Sequence, residues 1–363
     1  MEDTAMMGRM IRFKLFGESH GKVVGVLIDG IPPGIKVNVE EIKKELERRK
    51  GIPRFSTKRR EPDEPIILSG VFKGRTTGAP IVIVVENKDV DSSYYEEIRN
   101  LPRPGHADYP ARIKYFGYND YRGGGHFSGR LTLGMVIAGY FARKILERYD
   151  IKVRAYIKRI GKVETKDLSI EEIIESDHPY CPDEDAFERM IWEMEDARKR
   201  GDSVGGIIEA IAVNVPPGLG GPYEEDIEAD LASAFFRIPA VKGVEFGLGF
   251  KFAESRGSEV NDHYTIKDGK IVTKTNNHGG ILGGITTGMP IIARIAFKPT
   301  PSIYLPQRTV DLEKMVESEI RLRGRFDSCI VPKAVPVVEA VMSFVLADHL
   351  LARKAWEAFM ANL

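Results

Sequence analysis

The 363-residue chain has little cysteine and no excess of either charge. Its two cysteines, Cys181 and Cys329, are too few for a disulfide framework and lack the spacing of a zinc cluster. Lysine plus arginine and aspartate plus glutamate both total 53, so no net field attracts nucleic acid or anionic lipid to the whole molecule. The low cysteine content argues against a secreted domain stabilised by disulfides. The balanced charge predicts that any anion-binding site is confined to one part of the surface.

The sequence also lacks a long uncharged apolar run. The start, MEDTAMMGRM, has no basic region followed by an apolar core, and the most apolar late stretch, 335–351, is interrupted by Glu339 and Asp348. We expect that stretch to be a buried helix and not a membrane span. The expected location is the cytoplasm, where both thiols stay reduced, with no membrane partner and no nucleic-acid partner.

What the sequence does contain is an order of motifs that occurs twice. Residues 23–49 read as a strand, a PPG turn and an amphipathic helix, and residues 206–236 read the same way. A T-T-G-x-P-I turn then leads into a β-branched strand in each half, at 76–81 and at 286–291. Last in each half is a loop of glycine and arginine that precedes an apolar helix. A single such turn is common between strands and helices, but three matching elements in the same order favour a duplication.

This repeat predicts an α+β fold with a pseudo-twofold axis. In it, a duplicated β-α-β sandwich has antiparallel sheets that enclose the apolar helices 133–147 and 336–352. We expect residues 1–363 to form a single domain from two intertwined halves, approximately 8–150 and 204–355. The acidic segment within 165–200 is predicted to be a helical insertion at the periphery.

The stretch GESHG at 17–21 fits the G-x-S-x-G pattern of a serine hydrolase, in which a strand leads in and a helix leads out. Here the exit segment, VVGVLIDG, reads as a second strand, and only sixteen residues precede Gly17. Both features argue against a hydrolase. What remains is a tight turn that can present His20 to a ligand, or a solvated imidazole if His20 has no partners.

Basic residues are concentrated in RRKGIPRFSTKRR at 48–60, which holds seven of them in thirteen positions. A bare charge run is usually a solvated loop or a nucleic-acid contact. However, Arg103, Arg130 and Arg325 recur beside glycine turns elsewhere in the chain. Guanidinium groups pair bidentately with carboxylate and phosphate, so this spread favours a convergent pocket for a small anion.

Four histidines, His20, His106, His126 and His278, lie in glycine-flanked loops without the spacing of zinc ligands, so no metal site is predicted. Imidazole titrates near neutral pH, which suits a general acid. The glycine-rich segment 275–288 and the KPTPS segment 298–302 could together cradle a flat ring and its phosphate. Neither a G-x-G-x-x-G nor a P-loop pattern is present.

Taken together, FGESHG, DGIPPGI, RPGHADY, DYRGGG, GGILGGITTG, KPTPS and the final AVPVVEA helix resemble the chorismate synthase family over nearly the whole chain. The resemblance implies a lyase of the shikimate pathway. Such an enzyme eliminates phosphate from 5-enolpyruvylshikimate 3-phosphate in an anti-1,4 reaction, with reduced FMN (FMNH2) and no net redox change. It also implies a homotetramer and associates the family with NADPH, although these residues do not reveal whether the chain reduces its own flavin.

The resemblance also implies roles for individual residues. His20 matches the acid near the departing phosphate, His106 the residue near flavin N1, and Asp327 the aspartate that assists proton removal near flavin N5. Ser19 belongs to the same substrate site, and the positions matching substrate-binding arginines are Arg49, Arg54, Arg103, Arg130 and Arg325. The FMN-contacting positions are His126, Phe127, Ser128, Ala240, Gly283, Lys298, Pro299, Thr300, Pro301 and Ser302, together with Arg325.

Three loops depart from the family pattern. The chain has GGGHFSGRL, GRFDSC and KPTPS where many members have GGGRSSARE, GRHDPC and KPTSS. These departures leave the role of His126 less defined than that of Arg130, and Pro301 removes a backbone N–H from the presumed phosphate loop. A flavin-dependent oxidoreductase and a non-catalytic polyanion-binding protein are the alternatives.

Overall fold

Two antiparallel sheets lie on either side of a pair of apolar helices in a computed structural model that describes residues 7–56 and 61–363. In chain order, the elements up to the first apolar helix are β1 (Arg12–Gly17), β2 (Val23–Asp29), α1 (Val39–Arg49), β3 (Ile66–Ser69), β4 (Val71–Phe72), β5 (Arg75–Thr76), β6 (Ile81–Glu86), α2 (Ser93–Glu97), α3 (Asp108–Lys114) and α4 (Thr132–Leu146).

The remaining elements run from the second sheet to the C-terminal helix. They are β7 (Lys152–Ile160), β8 (Val163–Glu164), α5 (Ile170–Glu175), α6 (Glu184–Lys199), β9 (Gly206–Val213), α7 (Ile227–Phe236), β10 (Val241–Phe246), α8 (Gly257–Val260), β11 (Tyr264–Lys267), β12 (Lys270–Thr273), β13 (Ile281–Leu282), β14 (Ile285–Thr286), β15 (Ile291–Phe297), β16 (Gln307–Asp311), β17 (Val316–Ile320) and α9 (Val331–Met360).

The first sheet has the strand order β1-β2-β6-β3, and the second has the order β10-β15-β9-β7-β8. Neighbouring strands in both sheets are antiparallel. Strands β6 and β15 alternate buried and partly exposed positions, because successive side chains of a strand point to opposite faces. Each sheet therefore turns a row of apolar side chains toward the helices.

Helices α4 and α9 form the centre of the molecule. Helix α4 packs against β2, helix α9 packs against β7 and β9, and the two helices pack against each other. Their backbones approach so closely that a Cβ at Gly139 would lie 2.3 Å from the Cβ of Ala340. The most apolar 18-residue window of α9 is 94% buried inside the protein, so packing in the core accounts for its apolar length. The α+β class and the helices between antiparallel sheets were predicted correctly.

The two halves share hydrogen bonds as well as the order of their elements. The N–H of Gly34 donates to the carbonyl of Thr76 at 2.8 Å, and the N–H of Gly218 donates to that of Thr286 at 2.9 Å. Each of these threonine hydroxyls also donates to a proline carbonyl of its own PPG turn, at 2.7 Å in both halves. The repeated sequence motifs therefore build the same turn twice.

Helix boundaries differ from those expected. Helix α9 begins at Val331 and not at 336, because Pro332 occupies a position in the first turn where no intrahelical N–H bond is needed. The helical segment within 165–200 is broken at 176–183. Helix α5 starts from a capping box of Ser169 with Glu172, and α6 starts from Asp183, whose side chain accepts from the backbone of Ala186.

Candidate active site

A cleft of about 1350 Å³ opens where loops from both halves meet. Its walls come from the β1–β2 turn, the loop after β6, the glycine loop 122–128, and the segments that flank β10, follow β15 and precede α9. The three glycines 123–125 have positive φ angles of 58°, 85° and 52°, a backbone that few other residues adopt. The glycine loop can therefore fold tightly against the β1–β2 turn.

His20 lies in that turn and lines the cleft. Its Nδ1 is 2.9 Å from the Ser92 hydroxyl, and its ring meets the Tyr95 ring edge-on with centroids 5.2 Å apart. The preceding Ser19 is buried, and its backbone N–H donates to the Gly125 carbonyl at 3.1 Å. A strand follows the turn, as predicted, so the strand-to-helix elbow of a serine hydrolase is not formed.

His106 lies in the loop between α2 and α3 and also lines the cleft. Its Nε2 is 2.8 Å from the Ser302 hydroxyl. Burial lowers the pKa of His106 to about 4, and the positive charges of Arg103 and Lys298 contribute to the same shift. The imidazole is therefore neutral at pH 7 in the ligand-free protein, and a bound anion would raise its pKa.

Arg103 is held in place by an acid. Its Nε and one terminal nitrogen donate to the two oxygens of Asp108, at 2.7 and 2.8 Å. The guanidinium also lies over the Tyr95 ring, 5.4 Å from its centroid. This arrangement fixes a buried cation at the wall of the cleft.

The KPTPS segment supplies a cation and hydroxyls to the same wall. Lys298 Nζ donates to the Gly105 carbonyl at 2.6 Å, and burial together with the nearby charge of Lys242 lowers the pKa of Lys298. The Thr300 hydroxyl is buried, and no residue among those that the structure describes forms a hydrogen bond with it. Phe127 is 44% exposed, so the cleft also offers an aromatic side chain to a flat ring.

A second cavity of about 290 Å³ adjoins the cleft and shares Asp327 with it. Asp63 lies between two arginines there: one of its oxygens is 2.7 Å from Arg130 and the other is 3.1 Å from Arg49. Lys333, in the first turn of α9, donates to Asp327 at 2.6 Å. We call this group the inner charge cluster. It contains Arg49, Asp63, Arg130, Asp327 and Lys333.

Most of the predicted site residues are brought together. The cleft is lined by Ser19, His20, Arg103, His106, His126, Phe127, Ser128, Ala240, Lys298, Thr300, Pro301, Ser302, Arg325 and Asp327, and Arg49 and Arg130 line the inner cavity. Three others line neither cavity. They are Arg54, Gly283 and Pro299. Arg54 forms an ion pair with Glu195, and Gly283 lies in the β13–β14 turn. Residues 57–60 of the basic run lie outside the described residues.

The unpredicted residues that contact predicted ones include Asp63, Ser92, Tyr95 and Lys333. Asp63 lies three residues beyond the basic run, after Glu61 and Pro62, and an acid in that place is a signal that an arginine could be paired. Ser92 directly precedes helix α2 and Tyr95 lies within it, in a segment where no sequence pattern marks either residue. Only the folded chain places them beside His20.

Comparisons with known proteins agree with the motifs. The model of the family described as "Chorismate synthase" matches residues 11–351. A chorismate synthase of Pyrococcus abyssi is 78% identical over 352 residues, covering 97% of this chain and 99% of that protein. One of Korarchaeum cryptofilum is 54% identical, covering 95% and 97%. A crystal structure of chorismate synthase aligns with a TM-score of 0.76 at 33% identity, covering 95% of this chain and 93% of that one.

Proposed function

The chain belongs to the chorismate synthase family of enzymes, and from this membership we propose the reaction and cofactor that its site serves. The proposed reaction is an anti-1,4 elimination of phosphate from 5-enolpyruvylshikimate 3-phosphate to give chorismate, with reduced FMN and no net redox change. The observation that carries it is the convergence in one cleft of His20, His106 and Asp327 with several cations from both halves of the chain.

The cleft suits an anionic flavin nucleotide in size and in chemistry. The buried Thr300 hydroxyl has no hydrogen-bond partner within 7–56 and 61–363, and the charges of Lys298 and Lys242 lie close enough to interact. A phosphate group would satisfy both features. We propose that these groups hold the FMN phosphate, with His106 and Phe127 facing the ring system. When bound, reduced FMN would supply the electron density that the elimination needs transiently.

The protein's own groups would bind the substrate and move protons. The substrate carries one phosphate and two carboxylates, and the arginines of the cleft and of the inner charge cluster would neutralise them. His20 would donate a proton to the departing phosphate, and Asp327, held by Lys333 at 2.6 Å, would assist removal of the C6 proton. Burial of these charges away from water strengthens each interaction.

The test is phosphate release from the enolpyruvyl substrate under anaerobic conditions, with dithionite-reduced FMN present or absent. We expect release only with reduced FMN, and we expect no oxidation of reduced FMN in step with product. His20→Ala and Asp327→Ala should each slow release by roughly 100- to 10,000-fold at saturating substrate. Net flavin oxidation would instead support an oxidoreductase, and salt-sensitive nucleic-acid binding without turnover would support a polyanion-binding protein.

We also propose that the enzyme is a cytoplasmic homotetramer. Support comes from the family resemblance, together with exposed apolar side chains on the β11–β12 hairpin, where Tyr264, Ile266 and Ile271 are 66%, 77% and 73% exposed. Sedimentation at micromolar concentration tests the oligomeric state. A species at the 40.6 kDa chain mass would contradict the proposal.

A further inference from the structure

We propose that Ser92 is a positioning residue for His20. In this proposal the Ser92 hydroxyl accepts a hydrogen bond from Nδ1–H of His20, which leaves Nε2 as the nitrogen that gives up the proton. The observation is the 2.9 Å distance between Ser92 Oγ and His20 Nδ1. The inference rests on the proposed function, in which His20 is the acid at the departing phosphate.

The loops that carry the two side chains are held together independently of this hydrogen bond. The Asn87 side-chain amide donates to the carbonyls of Glu18 and Gly21, at 3.1 and 2.8 Å, on either side of His20. Its backbone N–H donates to the Lys22 carbonyl at 3.1 Å. Removing the Ser92 hydroxyl should therefore leave the backbone of the His20 turn in place.

Packing confines the imidazole ring but does not choose between its two orientations. Tyr95 meets the ring edge-on, and Gly123 lies so close that a Cβ there would be 2.4 Å from both Nε2 and Cδ2. A half-turn about the Cβ–Cγ bond would exchange Nδ1 with Cδ2 while keeping nearly the same shape. The hydroxyl of Ser92, 2.9 Å from Nδ1, distinguishes a nitrogen from a carbon at that position.

The chemistry follows from the fixed orientation. In the imidazolium, Nδ1–H donates to Ser92, and Nε2–H passes to the phosphate oxygen as its bond to carbon breaks. His20 is then the neutral Nδ1–H tautomer, which still donates to Ser92, and Nε2 regains a proton from solvent. The carboxylates of Asp91 and Asp120 are near enough to interact with the His20 charge.

The kinetic test compares three variants. Ser92→Ala should lower kcat by about tenfold or more, as expected for losing a hydrogen bond to a charged group, while the substrate KM stays within about twofold. Ser92→Thr keeps the hydroxyl and should restore most of kcat. Ser93→Ala is the matched control, because the Ser93 hydroxyl donates to Asp91 and not to His20, and its kcat should stay within about twofold of the parent.

A spectroscopic test does not depend on activity. In ¹⁵N-labelled ligand-free protein at high pH, we expect neutral His20 to be the Nδ1–H tautomer, and we expect Ser92→Ala to shift it toward Nε2–H. An unchanged tautomer, or an unchanged kcat in Ser92→Ala, would overturn the inference. If the parent releases no phosphate, the proposed function fails, and the tautomer measurement still decides whether Ser92 orients His20.

Discussion

The inner charge cluster should depend on Asp63 more than on any arginine–aspartate pair at the rim of the cleft. The Asp63 carboxylate is 2% exposed and separates two guanidinium groups whose side chains are 11% and 6% exposed, those of Arg49 and Arg130. Asp63→Ala would leave both cations buried and facing each other. Breaking a buried pair by removing one partner costs about 3–5 kcal/mol, so we expect a loss of unfolding free energy in that range.

The assay is chemical denaturation at pH 7 and fixed protein concentration. Asp89→Ala is the matched control, because Asp89 pairs with Arg325 at 2.8 Å with side chains 31% and 40% exposed, and an exposed pair is worth below about 1 kcal/mol. The double variant Asp63→Ala with Arg130→Ala should lose less than the sum of the single losses, because the two residues share one interaction. A loss below about 1 kcal/mol for Asp63→Ala would refute the reasoning.

The same pair makes a prediction about pH. Burial alone would raise the pKa of Asp63, but Arg49 and Arg130 outweigh it and hold the pKa below its ordinary value of 3.8. A carboxylate with a lowered folded-state pKa adds stability that is fully present above the unfolded-state pKa and is lost as the pH falls through the folded one. The stability difference between parent and Asp63→Ala should therefore stay constant above about pH 5 and shrink only in acid.

Three further outcomes are expected. His106 should titrate near pH 4 by NMR in the ligand-free protein. Because this pKa lies below the ordinary histidine value of 6.5, the contribution of His106 to stability is present above pH 6.5 and is lost as the pH falls toward 4. Burial raises the pKa of the Cys181 and Cys329 thiols to about 12, so a thiol reagent at pH 8 should label either one only after denaturant is added. Arg325→Ala should weaken substrate binding by about tenfold or more, measured by calorimetry with oxidised FMN present, and should change the free energy of unfolding by less than about 1 kcal/mol. Unchanged binding would show that Arg325 is not part of the substrate site.

The buried state of Arg130 changes how its variants are interpreted. Its Nε donates to the Asn87 side chain at 2.6 Å and a terminal nitrogen donates to Asp63 at 2.7 Å, so the guanidinium supports the protein as well as any ligand. Arg130→Ala should therefore lower stability together with binding. Arg325, with an exposed partner, gives the cleaner test of substrate recognition.

The sequence by itself determined the local structure and the family. Strand periodicity, the PPG and TTG turns and the apolar helices are consequences of neighbouring residues, because alternation of side chains and the φ preferences of glycine and proline act over a few positions. The duplication could be inferred for the same reason, and both threonine hydroxyls then bond as the repeat requires. Family motifs added the roles expected of His20, His106 and Asp327.

Only the tertiary structure decided which side chains meet. Asp63 with Arg130, Ser92 with His20 and Lys333 with Asp327 carry the charge balance and the orientation of the site. Two of these contacts join residues more than sixty positions apart. Such contacts form only when the two sheets and the two central helices pack together. The distance between two side chains that are far apart in the chain cannot be read from a short stretch of sequence. Burial then sets the strength of each ion pair. An ion pair in water contributes little to stability, but removing one partner of a buried pair is costly because the remaining charge has no solvent around it.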